Sequence, residues 1–181
     1  MPKLLALLSA LMLAPPAPAD EASRQPEETL ATAERGPASA TTYMVAAAHP
    51  FAAEAGQDVL ARGGSAADAA VAVQLVLNLV EPQSSGIGGG SFALYWNAAL
   101  RELISLDGRE TAPQAADPSY WLGPDGEPLD FWDAVIGGRS VGVPGTLKLL
   151  ETLHARYGQL PWPELVAPAI DLAETGFAVS P

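Results

Sequence analysis

The sequence contains no cysteine among its 181 residues. Disulfide bonds, thiolate nucleophiles and cysteine-ligated metal sites are therefore excluded from its chemistry. Histidine is almost as scarce: His49 and His154 are the only two, and no carboxylates surround them at a recognisable metal-ligand spacing. We therefore expect no metal site, and we interpret His49 as part of a helix start and His154 as part of a helix face.

Positive charge is also scarce, because nine Lys and Arg residues stand against 21 Asp and Glu residues, for a formal net charge of −12. Such a polyanion does not suit phosphate backbones or anionic lipid, so we expect no nucleic-acid partner. The apolar run at 4–13 is too short to span a bilayer. It follows Lys3 and precedes the small-x-small pattern Ala17-Pro18-Ala19, which predicts a signal peptide over residues 1–19, export, and a mature chain without a membrane span.

The rest of the chain divides into a polar leader and one domain. Residues 20–42 are rich in Ala, Glu, Pro and Thr, which predicts a flexible leader. Residues 43–181 contain apolar runs separated by glycine-rich turns, which indicates an α/β (α+β) domain. The last residues, Val179-Ser180-Pro181, form no terminal element, and we interpret this as truncation within the domain.

A capped apolar helix is the strongest local signal. Gly63 and Gly64 can end one helix, and Ser65 can cap the next, with Asp68 placed at its positive end. Residues 66–80 are almost entirely apolar, which predicts a helix that must be buried. We expect this helix to expose apolar surface unless further layers of a larger fold cover it.

Four glycines follow at residues 86–90, before a predicted hairpin of strands 92–96 and 103–106. A dinucleotide-binding fingerprint has a strand before its glycines and a helix after them, and the order here is reversed. No Gly-Lys-Ser or Gly-Lys-Thr of a P-loop is present either. We therefore interpret this turn as structural, bringing backbone close to backbone.

The remaining elements follow from shorter patterns of apolar residues, proline and glycine. The expected elements are a buried strand at 43–48, a helix from 50 to about 62, an ordered aromatic loop at 114–138, and helices at 146–157 and 162–174.

Arg109 is the candidate site residue. It lies just beyond a predicted strand, between Asp107 and Glu110. A guanidinium can bind a carboxylate with two parallel hydrogen bonds, which favours a clamp for an acidic ligand. The alternative is an internal ion pair with Asp107 or Glu110.

No hydroxyl in the sequence is paired with a recognisable base. Thr41-Thr42 is followed by Tyr43, Ser84 and Ser85 lie in the glycine turn, and Ser140 is isolated. No Gly-x-Ser-x-Gly or Ser-x-x-Lys motif is present. These residues alone therefore indicate no reaction.

Several short motifs, in order, resemble the N-terminal part of γ-glutamyltranspeptidases, also called glutathione hydrolases. The resemblance runs from about residue 44 to residue 181. It is carried by His49-Pro50, the stretch 63–72, Glu81-Pro82, the stretch 84–90, Arg109-Glu-Thr-Ala-Pro113, Val143-Pro-Gly145, Tyr157-Gly158, Trp162, Ala167-Pro168-Ala169 and Gly176-Phe177.

The resemblance implies a partial N-terminal nucleophile hydrolase fold, an αββα sandwich of two sheets between helical layers, truncated here. Such proteins are exported precursors that cleave themselves into a large and a small subunit. The new terminal threonine of the small subunit attacks the γ-glutamyl amide, with its own amine as base, and the γ-glutamyl group then passes to water, an amino acid or a peptide. That threonine motif lies beyond residue 181, so the resemblance implies no catalytic residue in this chain.

By the same resemblance, Arg109 binds the α-carboxylate of a γ-glutamyl donor such as glutathione, and no cofactor is needed. The expected partners are this small-molecule donor and a small subunit from the same precursor, and the expected location is periplasmic or secreted. Two alternatives stay open: a related acylase acting on a β-lactam side chain, and a truncated product that is not an enzyme.

Overall fold

The computed structural model describes residues 36–179, so the predicted signal peptide (1–19) and most of the predicted leader (20–42) lie outside the described residues. The chain is α/β (α+β), as expected, with five α-helices and one hairpin in this part. In order they are α1 (Pro50–Ala61), α2 (Ala66–Val80), β1 (Ser91–Asn97), β2 (Glu102–Gly108), α3 (Phe131–Val135), α4 (Thr146–Tyr157) and α5 (Trp162–Thr175), with a 3-10 turn at Gly138–Ser140 before α4. Over residues 36–179, no helix has the length and apolar character that crossing a membrane would require.

Helix α1 begins and ends at the residues that its capping signals predict. The His49 ring accepts a hydrogen bond from the Phe51 backbone nitrogen at 3.2 Å, and Pro50 occupies the first helical position. Gly63 follows the helix with φ of 87°, a left-handed conformation that glycine adopts without steric cost. The interpretation of His49 as part of a helix start is confirmed.

Helix α2 is the centre of the core. Its first turn carries a capping box, in which the Asp68 backbone donates to the Ser65 hydroxyl at 3.1 Å and the Ser65 backbone donates to the Asp68 carboxylate at 2.8 Å. Helices α1, α4 and α5 pack around it. These three neighbours leave none of its large apolar side chains fully exposed, but four are only partly buried, so the expectation that this helix exposes apolar surface holds in part. These four are Val73, Leu75, Leu77 and Leu79.

The hairpin is antiparallel, and its two faces have different surroundings. On the inner face, Tyr95 stacks on Tyr157 of α4 with ring centroids 4.2 Å apart. The opposite side, here called the outer hairpin face, has no covering element among residues 36–179. It consists of four apolar side chains that are 56% to 73% exposed: Phe92, Leu94, Trp96 and Leu103.

The expected buried strand at 43–48 is wrong. This segment forms no strand and is mostly exposed, with Val45 and Ala47 half-buried. A strand needs a partner, and in the described part of the chain β1 and β2 pair with each other alone. Val45 instead packs its side chain close to Gly56 of α1.

The loop at 114–138 is ordered by local contacts, as predicted. Tyr120 and Trp121 meet edge to face at 5.2 Å, as do Phe131 and Trp132 at 5.1 Å. The second pair lies in the short helix α3, which the sequence did not indicate. The Arg139 guanidinium carbon lies 5.8 Å from the centroid of the Tyr120 ring. This cation–π contact holds the end of the loop against Tyr120.

Candidate carboxylate-binding site at Arg109

Arg109 is the first residue after β2, where the chain leaves the hairpin. Its backbone nitrogen donates to the Asp107 carboxylate at 2.9 Å, and this short turn directs the chain away from the strand. Its side chain is 71% exposed. The residue therefore combines a fixed backbone with a guanidinium that solvent and ligands can reach.

The guanidinium forms an ion pair with Glu110, with 3.4 Å between Arg109 Nε and Glu110 Oε2. The alternative of an internal ion pair is thus realised, with Glu110 as partner, while Asp107 bonds only to the backbone of Arg109. The pair does not preclude a ligand, because the contact is made by Nε and an arginine carries four further N–H donors on its terminal nitrogens. A second carboxylate can be bound by those terminal nitrogens.

The glycine turn at 86–90 packs against the Glu110 side chain. A Cβ atom at Gly90 would lie 2.8 Å from the Glu110 backbone nitrogen and 2.8 Å from its carboxyl carbon. Glu110 Oε2 is buried there without a hydrogen bond from the described residues. The interpretation of this turn as a close backbone approach is confirmed at Gly90, where any larger residue would displace Glu110.

The start of α4 holds the same turn from the other side. The Gly89 carbonyl accepts three hydrogen bonds, from the Gly145 nitrogen at 3.1 Å, the Thr146 nitrogen at 3.1 Å and the Thr146 hydroxyl at 3.0 Å. Thr146 is 1% exposed. A bridge between Thr111 and Val143 adds two backbone hydrogen bonds just beyond Arg109.

A cleft of about 240 Å³ opens beside these residues, between the end of β2 and α4. Its lining includes Arg109, Thr111, Lys148 and Thr152. Lys148 is paired with Glu151 one turn along the helix, at 2.5 Å. The cleft can therefore admit a small acidic molecule, with the terminal nitrogens of Arg109 as donors to it.

The hydroxyls considered from the sequence lie elsewhere. The Ser85 hydroxyl donates to the Asn78 side-chain oxygen at 2.7 Å and accepts from Gln74 at 2.7 Å, while the Ser140 hydroxyl donates to the Val135 carbonyl at 2.6 Å. Thr41 and Thr42 lie at the exposed start of the described chain. The structure brings none of these hydroxyls beside Arg109.

Asp68 has a second role that the sequence did not indicate. Its fully buried carboxylate accepts hydrogen bonds from the backbone nitrogens of Gln159 at 2.9 Å and Leu160 at 3.3 Å, besides those from Ser65. Burial raises the pKa of this carboxyl, but the hydrogen bonds outweigh burial and hold it below its usual value. An acidic residue in a predominantly apolar helix was the available signal for such a contact.

His154 lies on a face of helix α4, as predicted, and this face meets the connection between α4 and α5. Its Nε2 is 2.9 Å from the Leu160 carbonyl oxygen and 3.7 Å from Asp68 Oδ1, and its ring packs edge to face on Trp162. In the described part of the chain, no three His, Asp or Glu side chains converge as a metal site would require.

Sequence reasoning missed Thr146. A threonine at the first position of a predicted helix indicates at most a local cap, and its bond to Gly89 spans 57 positions. The available signal was its place directly after Val143-Pro-Gly145, one of the motifs that carries the resemblance.

Together, the fold and the site describe an α/β segment with an exposed arginine beside a small cleft. The profile of the family described as Gamma-glutamyltranspeptidase matches residues 52–181. This chain belongs to the γ-glutamyltranspeptidase family.

Individual relatives agree with this assignment. The chain is 46% identical over 136 residues to the glutathione hydrolase proenzyme of Bacillus subtilis strain 168, covering 75% of this chain and 23% of that protein. It is 39% identical over 156 residues to the acylase ACY 1 proenzyme of Pseudomonas sp. strain SE83, covering 83% and 28%. The Helicobacter pylori γ-glutamyltranspeptidase crystal structure matches with a TM-score of 0.74 and 38% identity, over 80% of this chain and 41% of that one.

These coverages set the scope of the assignment. The chain spans about a quarter of the length of the curated relatives it matches. Those relatives are proenzymes of hydrolytic enzymes, so the family is enzymatic, and the matched part is its N-terminal portion, as the motif order predicted.

Proposed function

We propose that residues 43–181 form the N-terminal part of the large subunit of an exported γ-glutamyltransferase and glutathione hydrolase. The observation that carries the proposal is Arg109, which stands at the exit of β2 inside the family match with its guanidinium exposed beside a small cleft. Its role is to bind the α-carboxylate of a γ-glutamyl donor such as glutathione.

Holding that carboxylate fixes the distance from Arg109 to the amide that breaks, so one contact supplies both binding and orientation. The reaction proceeds through a threonine-bound γ-glutamyl intermediate, with the threonine supplied by the small subunit of the same precursor. The threonine hydroxyl attacks the amide carbon, the amine of the donor leaves, and water, an amino acid or a peptide then takes the γ-glutamyl group. The predicted signal peptide supports a periplasmic or secreted location.

A second candidate is an acylase that removes the side chain of a β-lactam, supported by the 39% identity to the ACY 1 proenzyme. The two candidates differ in what the donor offers to Arg109, since a γ-glutamyl group carries an α-carboxylate at a fixed position.

The test compares two substrates with a complete proenzyme that contains this segment. We expect release of p-nitroaniline from γ-glutamyl-p-nitroanilide, together with a γ-glutamyl-enzyme adduct detectable by mass spectrometry after rapid quenching. Turnover of an acylated cephalosporin without turnover of the γ-glutamyl donor would instead establish the acylase.

A further inference from the structure

We propose that Thr146 is a positioning residue for Arg109, acting through the glycine turn and Glu110. The inference rests on the proposed function, in which Arg109 binds the donor carboxylate. It assigns a role to a buried hydroxyl that itself lies outside the carboxylate contact.

The first step is the contact between α4 and the glycine turn. Thr146 is 1% exposed and donates both its backbone nitrogen and its hydroxyl to the Gly89 carbonyl, at 3.1 Å and 3.0 Å. With the Gly145 nitrogen, three donors converge on one acceptor. Buried groups bonded in this way tolerate little displacement, so the turn is fixed relative to α4.

The second step is the contact between the turn and Glu110. Gly89 lies beside one Glu110 carboxylate oxygen, since a Cβ there would be 3.5 Å from Oε1, and Gly90 packs directly against the other. Because Gly90 has no side chain, its backbone closes on the carboxyl group and leaves Oε2 buried. The Glu110 side chain is therefore positioned by the turn.

The third step is the ion pair. Glu110 Oε2 lies 3.4 Å from Arg109 Nε, so the carboxylate that the turn positions also orients the guanidinium. The backbone on either side is enclosed as well: a Cβ at Gly145 would lie 3.1 Å from the Arg109 carbonyl oxygen, and one at Gly142 would lie 2.8 Å from Glu110 Cβ. Movement of the turn would therefore shift the carboxylate against which the Arg109 guanidinium lies.

The test uses two pairs of variants in the complete proenzyme. Thr146→Val keeps the side-chain shape and removes the hydroxyl, while Thr146→Ser keeps the hydroxyl. Gly90→Ala places a methyl group against Glu110, whereas Gly88→Ala, in the same turn, meets nothing within 4 Å and serves as its control. Thr175→Val is the control for losing a threonine hydroxyl, because Thr175 donates to Asp171 at the exposed end of α5.

We expect Thr146→Val to raise KM for γ-glutamyl-p-nitroanilide about threefold or more with little change in kcat, as the loss of one buried hydrogen bond implies. Gly90→Ala raises KM further, and Thr146→Ser, Gly88→Ala and Thr175→Val stay near the parent value. Combined with Arg109→Ala, Thr146→Val adds nothing, since the residue it positions is gone.

Unchanged KM in Thr146→Val and Gly90→Ala, alongside a raised KM in Arg109→Ala, overturns this inference and leaves the proposed function intact. The inference is also overturned if Thr146→Val raises KM further when it is combined with Arg109→Ala. If Arg109→Ala itself changes nothing, the proposed function fails, and crystal structures of Gly90→Ala and Gly88→Ala decide the positioning separately. If the Arg109 guanidinium is displaced only in Gly90→Ala, the positioning role of the turn is supported. If the guanidinium stays beside Glu110 in both variants, the positioning role is overturned.

Discussion

Arg109 has its backbone fixed by neighbours on both sides while its charge stays exposed. This is the arrangement expected of a residue that must hold a small anion at a set distance. Guanidinium offers two parallel hydrogen bonds to a carboxylate, whereas the ammonium of lysine acts as a compact point charge. Under the proposed function, the geometry of the bound donor therefore depends on arginine specifically, as well as on positive charge.

We predict that Arg109→Ala raises KM for γ-glutamyl donors about ten- to a hundredfold, in line with about 1.5–3 kcal/mol for a charge-assisted hydrogen bond. Arg109→Lys recovers only part of this. Self-cleavage of the precursor survives in both variants, because no donor is bound when the backbone is cut. The measurements are donor kinetics and a gel assay of processing; an unaltered KM in correctly processed Arg109→Ala would reduce Arg109 to the ion-pair partner of Glu110.

Asp68 is the second residue with a large expected effect. It is fully buried, and its carboxylate joins the start of α2 to the connection between α4 and α5. Because its folded pKa lies below the usual value, folding favours the ionised form. This contribution is complete above the unfolded pKa of about 3.9 and is lost as the pH falls through the lower folded pKa.

We therefore predict that Asp68→Asn in the complete enzyme lowers stability by about 2–4 kcal/mol at pH 7 and flattens the loss of stability below about pH 4. Thermal unfolding midpoints measured from pH 3 to pH 7 test both effects. Asp171→Asn, at an exposed position on α5, is the control and should follow the parent curve. Parallel curves for Asp68→Asn and the parent would remove the link between this carboxylate and acid unfolding.

At the scale of elements, the helices could be predicted because their ends are specified locally. Ser65 and Asp68 lie three positions apart and together fix the start of α2. Gly63 and Gly176, with φ of 87° and 79°, mark where α1 and α5 stop. Each signal involves residues close in sequence, so it can be recognised without knowing the tertiary structure.

The errors arise where the outcome depends on distant partners. The apolar run at 43–48 has strand composition, but no strand of the described chain lies beside it. Similarly, the four glycines at 86–90 indicated a close approach, yet nothing in them identified Glu110 and Thr146 as the groups approached. Arg109 was found as a candidate from its motif, whereas the contacts that hold it could not be predicted.

The hairpin carries a prediction at this scale, because its outer face is the largest exposed group of apolar side chains on any element of the described chain. Contiguous exposed apolar surface promotes association. We predict that residues 20–181 expressed alone are insoluble or bind hydrophobic dyes, and that Leu94→Thr with Trp96→Thr lowers dye binding. Ile170→Thr removes one exposed apolar side chain from α5 and should leave dye binding unchanged. A soluble monomer with a sharp cooperative melt and no dye binding would contradict this.

At the scale of the whole molecule, the match covers 23% of the Bacillus subtilis proenzyme, and the proposed donor clamp lies within the matched part. Under the proposed function, donor binding by Arg109 and bond cleavage by the threonine lie in different parts of the precursor. This separation agrees with the two-subunit organisation that we propose.

We predict that residues 20–181, purified alone, release no p-nitroaniline from γ-glutamyl-p-nitroanilide. Adding back the rest of the precursor, either co-expressed or in one polypeptide, is expected to supply the activity. Turnover by the isolated chain that disappears when one of its own serines or threonines is replaced would show that a nucleophile resides here after all.

The bond between Thr146 and Gly89 also constrains the order in which the molecule forms. It joins residues 57 positions apart, so the chain between them must be brought into a closed loop before the contact can stabilise anything. Helices α1 and α2 are separated by only four residues, so they can pack together without closing a long loop first. During synthesis, a nascent chain therefore passes through a stage at which these two helices can pair while the guanidinium of Arg109 is still unrestrained. The contacts that hold the proposed donor clamp are completed only after α4 has been made.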